Sequence, residues 1–144
     1  MTNATMQKFG YPDTLIRDYG RWVVQLRPAQ ATLGSLVLVC TEEASAFSQI
    51  SAAAYADLQP AVRDIEATLA RLFAYDKMNY LMLMMVDPDV HFHVIPRYSG
   101  ARRFADVAFR DAGWPGPPDL GAVNETDEGL RARLIEELRA AWGA

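Results

Sequence analysis

One short segment constrains the fold of this chain more than any other: residues 87–97, which read Asp-Pro-Asp-Val-His-Phe-His-Val-Ile-Pro-Arg. Ionisable and apolar residues alternate along its middle, and successive side chains of a β-strand point to opposite faces of the sheet. The alternation therefore predicts a strand with one apolar face and one ionisable face. The apolar face would carry Val90, Phe92 and Val94. The ionisable face would carry Asp89, His91 and His93, spaced by about 6.6 Å along the strand.

The ionisable face of this strand holds both histidines of the protein, and three interpretations of it are open. The side chains could be polar groups satisfied by hydrogen bonds at a solvated sheet face. The Asp-x-His-x-His pattern could bind a metal, because one carboxylate and two imidazoles suit zinc or non-haem iron. We expect no metal, since the chain has no third histidine and Cys40 lies in a different predicted strand. The third interpretation is nucleophilic catalysis, because a neutral imidazole attacks phosphorus readily and then leaves readily.

The remaining strand signals indicate an antiparallel sheet. Residues 21–26 and 36–40 are rich in β-branched and apolar residues and follow each other closely, which predicts a hairpin. A Met- and Leu-rich strand is predicted over 78–86, and it would be joined to the 89–96 strand by a tight reversal at Asp87-Pro88. The fold class that these strands and the helices outside them predict is α+β.

Two helices and one irregular segment complete the predicted organisation. A long helix is predicted over 51–74, capped by Ser51, with a kink or a division into two helices at Pro60. A closing helix is predicted over 127–142. Between the strands and this helix, the segment 101–126 is rich in glycine and proline and predicts a loop. We expect a single domain over 1–144, with a core at about 15–100 and a frayed stretch at 1–10.

Composition limits the classes of function that the chain can have. The 144 residues include 51% apolar side chains and carry a net charge of −4, which fits one domain with a well-filled core. The acidic balance argues against nucleic-acid binding, which usually needs a dense basic face. The longest apolar run is far shorter than the ~20 residues that cross a bilayer, so we expect no membrane partner. Because Cys40 is the only cysteine, no intrachain disulfide can form, and we expect a cytoplasmic protein.

Residues 90–98, Val-His-Phe-His-Val-Ile-Pro-Arg-Tyr, resemble the signature strand of the histidine triad (HIT) superfamily, in which three histidines are separated by single apolar residues. Within the superfamily, the resemblance is to the branch of diadenosine-polyphosphate hydrolases. Further similarity covers two leading strands, the entry to the long helix and the penultimate strand, at 22–24, 33–39, 47–51 and 79–81. The resemblance implies an antiparallel sheet with one long helix, commonly paired into a homodimer.

The resemblance also implies a function, that of a nucleotide hydrolase or nucleotidyl transferase acting on a phosphoanhydride, phosphoester or phosphoramidate bond. By position, His91 would attack the α-phosphorus and form a covalent nucleotidyl-histidine. His93 matches the third histidine of the pattern, which contacts phosphate. Asn79 and Arg97 are the candidates for substrate binding. The implied partner is a small-molecule nucleotide or dinucleoside polyphosphate, and no cofactor is expected.

The first histidine of the pattern is replaced by Asp89. A carboxylate at ~6.6 Å would repel a phosphate charge by on the order of 2.5 kcal/mol at an effective dielectric of ~20. This repulsion could be avoided in two ways. Asp89 could form hydrogen bonds with donors or a cation, or it could stay protonated and act as a general acid toward the leaving group. The alternative is a nucleotide-binding module that has kept the fold and lost efficient catalysis.

Overall fold

The centre of the molecule is a five-stranded antiparallel sheet. The computed structural model describes residues 2–143 of the chain. The strand bounds are Leu15–Asp18 (β1), Trp22–Leu26 (β2), Leu36–Cys40 (β3), Lys77–Leu81 (β4) and His91–Arg97 (β5). In space the strands follow the order β1-β2-β3-β5-β4, with every neighbouring pair antiparallel. The predicted α+β class is confirmed.

Two of the three inner strands, β2 and β3, form the predicted hairpin. Their register runs from Trp22 paired with Cys40 to Leu26 paired with Leu36. Every residue of both strands is buried, as the continuous apolar runs predict for strands that are covered on both faces. On its other side β3 pairs with β5, which also pairs with β4, so the histidine-bearing strand is an inner strand of the sheet.

Two helices cover one face of the sheet. Helix α2 spans Ala52–Phe73, and the Ser51 side chain accepts a hydrogen bond from the backbone N–H of Ala54, which confirms the predicted cap. The prediction of two shorter helices is wrong, because α2 continues through Pro60. The proline removes only the bond to the carbonyl of Ala56, which lies on the exposed side of the helix.

The closing helix α3 spans Glu128–Ala141 and is capped by the side chain of Asp127. Its buried leucines Leu130, Leu134 and Leu138 join the same core as α2, together with Trp22, Val24 and Leu38 of the sheet. Neither α2 nor any other helix within residues 2–143 is both long and apolar enough to span a membrane.

The opposite face of the sheet is covered by the N-terminal segment, where helix α1 spans Ala4–Lys8. Met6 and Phe9 of this segment are buried against three valines of β2 and β3, namely Val23, Val37 and Val39. The expectation of a frayed N-terminus is therefore wrong for the described residues 2–10. One helical turn is too short to show a periodicity, and its stability comes from packing and from side-chain hydrogen bonds rather than from helix propensity.

The connection between β4 and β5 differs from the prediction. Strand β4 ends at Leu81 and β5 begins at His91, so the residues between them form an irregular connection over 82–90 instead of a tight reversal at Asp87-Pro88. Met84 has a positive φ of 52°, a conformation that breaks the extended path of a strand. The predicted strand over 78–86 is therefore too long at its C-terminal end.

The Gly/Pro-rich segment contains one small element that the sequence prediction missed. Strands Arg102–Phe104 (β6) and Val107–Phe109 (β7) pair as a two-stranded hairpin. Ala105 and Asp106, both with positive φ, form its turn. The remainder of this segment, up to the cap of α3, is irregular apart from a single bridge between Gln30 and Asn124.

Candidate active site

Strand β5 places the two imidazoles side by side on the face of the sheet that α1 covers. His91 is paired in register with Val39 of β3, and His93 is paired with Val37. The ring centroids of the two histidines lie 5.2 Å apart, with the rings nearly perpendicular. Both residues are buried, with exposed fractions of 2% for His91 and 8% for His93. The predicted convergence of the two histidines is therefore present in the structure.

A hydrogen bond fixes which nitrogen of His91 carries the proton. The Nδ1 atom lies 2.6 Å from the backbone carbonyl oxygen of Asp89. A carbonyl oxygen can only accept a hydrogen bond, so Nδ1 must be the donor. In the neutral ring, the other nitrogen, Nε2, then carries the free lone pair. This is the protonation state that a nucleophilic imidazole requires.

His93 is held in its neutral form. Its pKa is lowered to about 4, mainly by burial and also by the positive charge of Arg27 and by the neighbouring His91, while Asp87 acts in the opposite direction. Its Nδ1 atom is buried and has no hydrogen-bond partner within residues 2–143. A neutral imidazole with an unpaired ring nitrogen can donate to or accept from a ligand, which suits a group that contacts a phosphate oxygen.

The two histidines line a cavity of about 450 Å³, a volume typical of small-molecule sites. Three segments form the rest of its wall. They are the end of α1 with Lys8 and Phe9, the start of the β2–β3 turn with Arg27, Pro28 and Ala29, and the connection after β4 with Leu83, Met84, Met85, Val86 and Asp87. The wall thus combines a large apolar area with a small number of ionisable groups.

The cations of this cavity differ in how they are paired. Lys8 forms a salt bridge of 2.9 Å with Asp87, so its charge is largely balanced within the wall. The Arg27 guanidinium donates through Nη1 to the carbonyl of Ala29, and within residues 2–143 no carboxylate pairs with it and no acceptor contacts its buried Nε. Burial lowers the pKa of Arg27, yet arginine stays protonated in proteins. Arg27 is therefore the cation best placed to meet an anionic ligand.

Asp89 is turned away from the cavity. It lies before the first residue of β5, and its carboxylate accepts hydrogen bonds from the backbone N–H and the hydroxyl of Thr5 in α1, at 3.1 and 2.9 Å. Its side chain is absent from the residues that line the cavity. Of the two ways in which the Asp89 charge could be accommodated, the structure shows the first, in which the carboxylate forms hydrogen bonds with donors. The expectation that Asp89 shares a face with both imidazoles fails because the regular strand begins only at His91.

Arg97 and Asn79 lie at the other end of β5 and do not line the cavity. Arg97 forms a buried ion pair of 2.7 Å with Asp111. Its remaining donors reach the side-chain oxygen of Asn79 at 2.8 Å and the carbonyl of Gly116 at 2.9 Å. Arg97 and His91 are six residues apart, which is roughly 20 Å along a strand. The structure therefore places Arg97 and Asn79, the two predicted substrate-binding residues, away from the cavity that the histidines line.

The sequence predicted only His91 and His93 among the residues that line the cavity, and the most informative of those it missed are Lys8, Phe9 and Arg27. The ring of Phe9 stands 6.4 Å from that of His91 and 5.9 Å from that of His93. No pattern in the N-terminal segment signals this position. Arg27 had a weak signal, since it directly follows a buried strand that is adjacent in sequence to another inner strand, and such strand ends are frequent places for binding residues.

The metal interpretation has no support from the geometry. Within residues 2–143, no three side chains of histidine, cysteine, aspartate or glutamate converge in a way that could hold a metal ion. Asp89, which the Asp-x-His-x-His pattern needs as the carboxylate ligand, is bonded to Thr5 instead.

Comparison with known proteins shows the fold. No family profile and no curated protein matches the sequence. Among solved structures, the chain is similar to a histidine triad protein from Bradyrhizobium japonicum, with a TM-score of 0.74, 20% identity, and coverage of 98% of this chain and 96% of that one. A histidine triad (HIT) protein from Sinorhizobium meliloti gives a TM-score of 0.74 at 19% identity, with the same coverages of 98% and 96%.

A more distant similarity leads to the same fold. A hypothetical histidine triad nucleotide-binding protein from Sulfolobus tokodaii gives a TM-score of 0.66 at 14% identity, over 89% of this chain and 82% of that one. The similarity to all three structures extends over most of both chains. The fold of this protein is therefore that of histidine triad proteins.

Proposed function

We propose that this protein is a nucleotide hydrolase or nucleotidyl transferase of the histidine triad type, with His91 as its nucleophile. The observation that carries the proposal is the hydrogen bond from His91 Nδ1 to the carbonyl of Asp89, at 2.6 Å. It leaves Nε2 unprotonated in a residue that lines a cavity of about 450 Å³. An unprotonated nitrogen in a ligand-sized cavity is the arrangement that covalent catalysis needs.

The proposed reaction has two displacements at phosphorus. In the first, the Nε2 lone pair attacks the α-phosphorus, an N–P bond forms, and the bond to the leaving group breaks with its electron pair going to that group, which takes a proton from water. In the second, water or another acceptor attacks phosphorus, loses its proton, and the N–P electron pair returns to Nε2. The phosphorylated ring is cationic, so its hydrogen bond to the Asp89 carbonyl becomes charge-assisted and stabilises the intermediate.

The charges of the cavity support an anionic substrate. Arg27 has no carboxylate partner within the described residues and retains a buried, unpaired Nε. His93 is uncharged at neutral pH because burial lowers its pKa to about 4, so it can offer a hydrogen bond. We assign Arg27 to the charge of the phosphate and His93 to a phosphate oxygen.

The apolar part of the wall supports a nucleotide rather than a bare phosphate. Phe9 presents an aromatic ring beside both imidazoles, and the methionines Met84 and Met85 line the same cavity. Aromatic rings and flexible thioethers accommodate the flat face of a base. The proposed substrates are therefore nucleotides and dinucleoside polyphosphates.

A second candidate function is nucleotide binding with little or no turnover. The observation that favours it is Asp89, whose carboxylate bonds to Thr5 and does not line the cavity. A residue in that position cannot donate a proton to the leaving group, as a general acid would. The two candidates differ in outcome, since only the enzyme forms a covalent adduct.

The proposal is tested by intact-protein mass spectrometry after incubation with nucleotides and dinucleoside polyphosphates. We expect a mass increase of one nucleotidyl group on the wild type, lost on mild acid treatment as for a phosphorus–nitrogen bond. The adduct should be absent from His91→Ala and retained in Gln59→Ala, a change at an exposed position of α2. Binding by calorimetry without any adduct would support the second candidate and contradict the first.

Assembly and location belong to the same proposal. We propose a cytoplasmic homodimer. Strand β4 is at an edge of the sheet, and an edge strand offers unpaired backbone groups to a second copy. Light scattering coupled to size-exclusion chromatography tests the dimer, and a mass of one chain would contradict it.

A further inference from the structure

We propose that Asp89 is a positioning residue: by bonding to Thr5, its carboxylate fixes the peptide group whose carbonyl selects the reactive tautomer of His91. The consequence for turnover rests on the function proposed above, whereas the consequence for the tautomer does not. The proposal explains what an aspartate does at the position where the histidine triad pattern has a histidine.

The contact between Asp89 and Thr5 is a three-bond clamp. The carboxylate accepts from the Thr5 backbone N–H at 3.1 Å and from its hydroxyl at 2.9 Å, and the Thr5 hydroxyl in turn accepts from the Asp89 backbone N–H at 3.3 Å. Thr5 is fully buried. The clamp joins positions 84 residues apart in sequence, so it is a tertiary contact and not a local turn.

The clamp uses the backbone N–H and the carboxylate Oδ2 of Asp89, while its carbonyl accepts from His91 Nδ1. This residue lies at the end of an irregular connection over 82–90, where Met85 and Val86 are 84% and 82% exposed. Such a connection has few contacts that would hold a peptide plane in one orientation. With its N–H and side chain bonded to a buried threonine, Asp89 has little freedom to rotate its carbonyl away from the imidazole.

A second contact joins the same two segments but is weaker. Lys8 at the end of α1 pairs with Asp87 at 2.9 Å, and the Lys8 side chain is half exposed. Exposed ion pairs contribute little to stability. The Asp89 clamp is buried at its Thr5 end, and it is therefore the stronger of the two contacts that join α1 to the segment before β5.

The chemistry of the clamp favours a carboxylate over an imidazole. The side chain must accept two hydrogen bonds, and both go to the same oxygen, Oδ2. A neutral imidazole has a single acceptor nitrogen with one lone pair, whereas a carboxylate or amide oxygen accepts two bonds. Asparagine should therefore preserve the clamp, and histidine should not.

The test is nitrogen NMR of the imidazole rings in ligand-free protein, at a pH where both are neutral. Only two histidines contribute signals, and His93→Gln assigns them. We expect the wild type, Asp89→Asn and Thr5→Ser to show His91 protonated at Nδ1. Thr5→Val, which keeps the shape of threonine and removes only the hydroxyl, should show a mixture of tautomers, and Asp89→Ala should show a larger shift toward protonation at Nε2.

The two variants that break the clamp keep the test decisive. Should Asp89→Ala fail to fold, Thr5→Val still removes one bond of the carboxylate and leaves the other. A folded Thr5→Val or Asp89→Ala protein with His91 fully protonated at Nδ1 would overturn the proposal. This readout needs no nucleotide, so it stands whether or not an adduct forms.

Kinetics then connect the tautomer to the reaction. In an active protein, we expect Thr5→Val to slow adduct formation roughly tenfold, as expected for a misplaced reacting group, with Thr5→Ser restoring most of the rate. The nucleotide Kd should change less than the rate, because Arg27 and His93 are untouched. An altered tautomer without an altered rate would contradict the catalytic part of the proposal and leave the positioning of His91 intact.

Discussion

The two ends of strand β5 bury polar groups in opposite ways. At the C-terminal end, Arg97 is 4% exposed and its donors meet Asp111, Asn79 and Gly116. At the N-terminal end, His93 is 8% exposed, and its Nδ1 has no partner within the described residues. Because nearly every buried polar group in a protein is hydrogen-bonded, the unpaired nitrogen of His93 is a group that a bound molecule could still satisfy, whereas the donors of Arg97 are already used within the fold.

The largest expected effect is at the end of β5 that faces the cavity. His91→Ala should lower turnover about 10³-fold or more, because the reaction loses its nucleophile and with it the covalent route. The measurement is steady-state hydrolysis of a dinucleoside polyphosphate. The control is Arg97→Lys, which keeps the charge at the other end of the strand and should retain near-normal turnover in the folded protein.

At the C-terminal end of β5, where the guanidinium nitrogens of Arg97 are all paired, removal of the arginine should lower the stability of the protein. Arg97→Ala leaves Asp111 buried without its cation, so we expect the free energy of unfolding to fall by about 3–5 kcal/mol. Chemical denaturation measures this change. Arg110→Ala, at an exposed position of the same segment, should cost less than about 0.5 kcal/mol. A stable Arg97→Ala protein with weakened nucleotide binding would contradict the structural assignment and return Arg97 to the substrate.

The pH dependence of the free energy of unfolding reports on His93, the residue with the unpaired ring nitrogen. The pKa of His93 falls from its ordinary 6.5 to about 4 on folding, so between these values the unfolded chain binds a proton that the folded protein does not. Stability therefore falls as the pH is lowered through this window, and the His93 contribution is fully present above pH 6.5.

The size of this loss is about 2 kcal/mol, after allowing for partial solvent screening. Denaturation curves of the wild type and His93→Gln at several pH values measure it, since the glutamine removes only this titration. Parallel pH profiles for the two proteins would show that His93 is not held neutral by burial.

The smallest expected effect concerns the cation of the cavity. Arg27→Gln should weaken nucleotide binding by about 10-fold, as expected for the loss of one charge-assisted hydrogen bond to phosphate. Calorimetric titration with a nucleotide gives the Kd. The Kd of Arg27→Gln should also depend less on salt concentration than that of the wild type. Arg63→Gln, an exposed change on α2, provides the control. Equal affinities for wild type and Arg27→Gln would remove Arg27 from the site.

The sequence predicted the half of the site that depends on strand periodicity. Alternation along β5 predicts that His91 and His93 lie on one face, and the continuous apolar run of β3 predicts a strand that is covered on both faces. The same rule failed at Asp89, because alternation applies only within the strand, and the strand begins at His91. Arg97 was a candidate through the family resemblance, and the structure separates it from the histidines because it lies at the other end of the same strand.

The other half of the site depends on contacts between distant segments, which periodicity does not report. Helix α1 has five residues, too few for an amphipathic pattern, and its position follows from Met6, Phe9 and the clamp to Asp89. The partner of Arg97, Asp111, lies in an irregular segment that has no periodic pattern. A single sequence contains both residues of each contact but no signal that pairs them.

The stereochemical course at phosphorus tests the central claim most directly. A nucleotide substrate with a chiral α-phosphorothioate should be hydrolysed in isotopically labelled water with net retention of configuration, because attack by His91 and attack by water each invert the centre once. Net inversion would contradict the account, since it requires a single direct attack by water, and so would the complete absence of turnover.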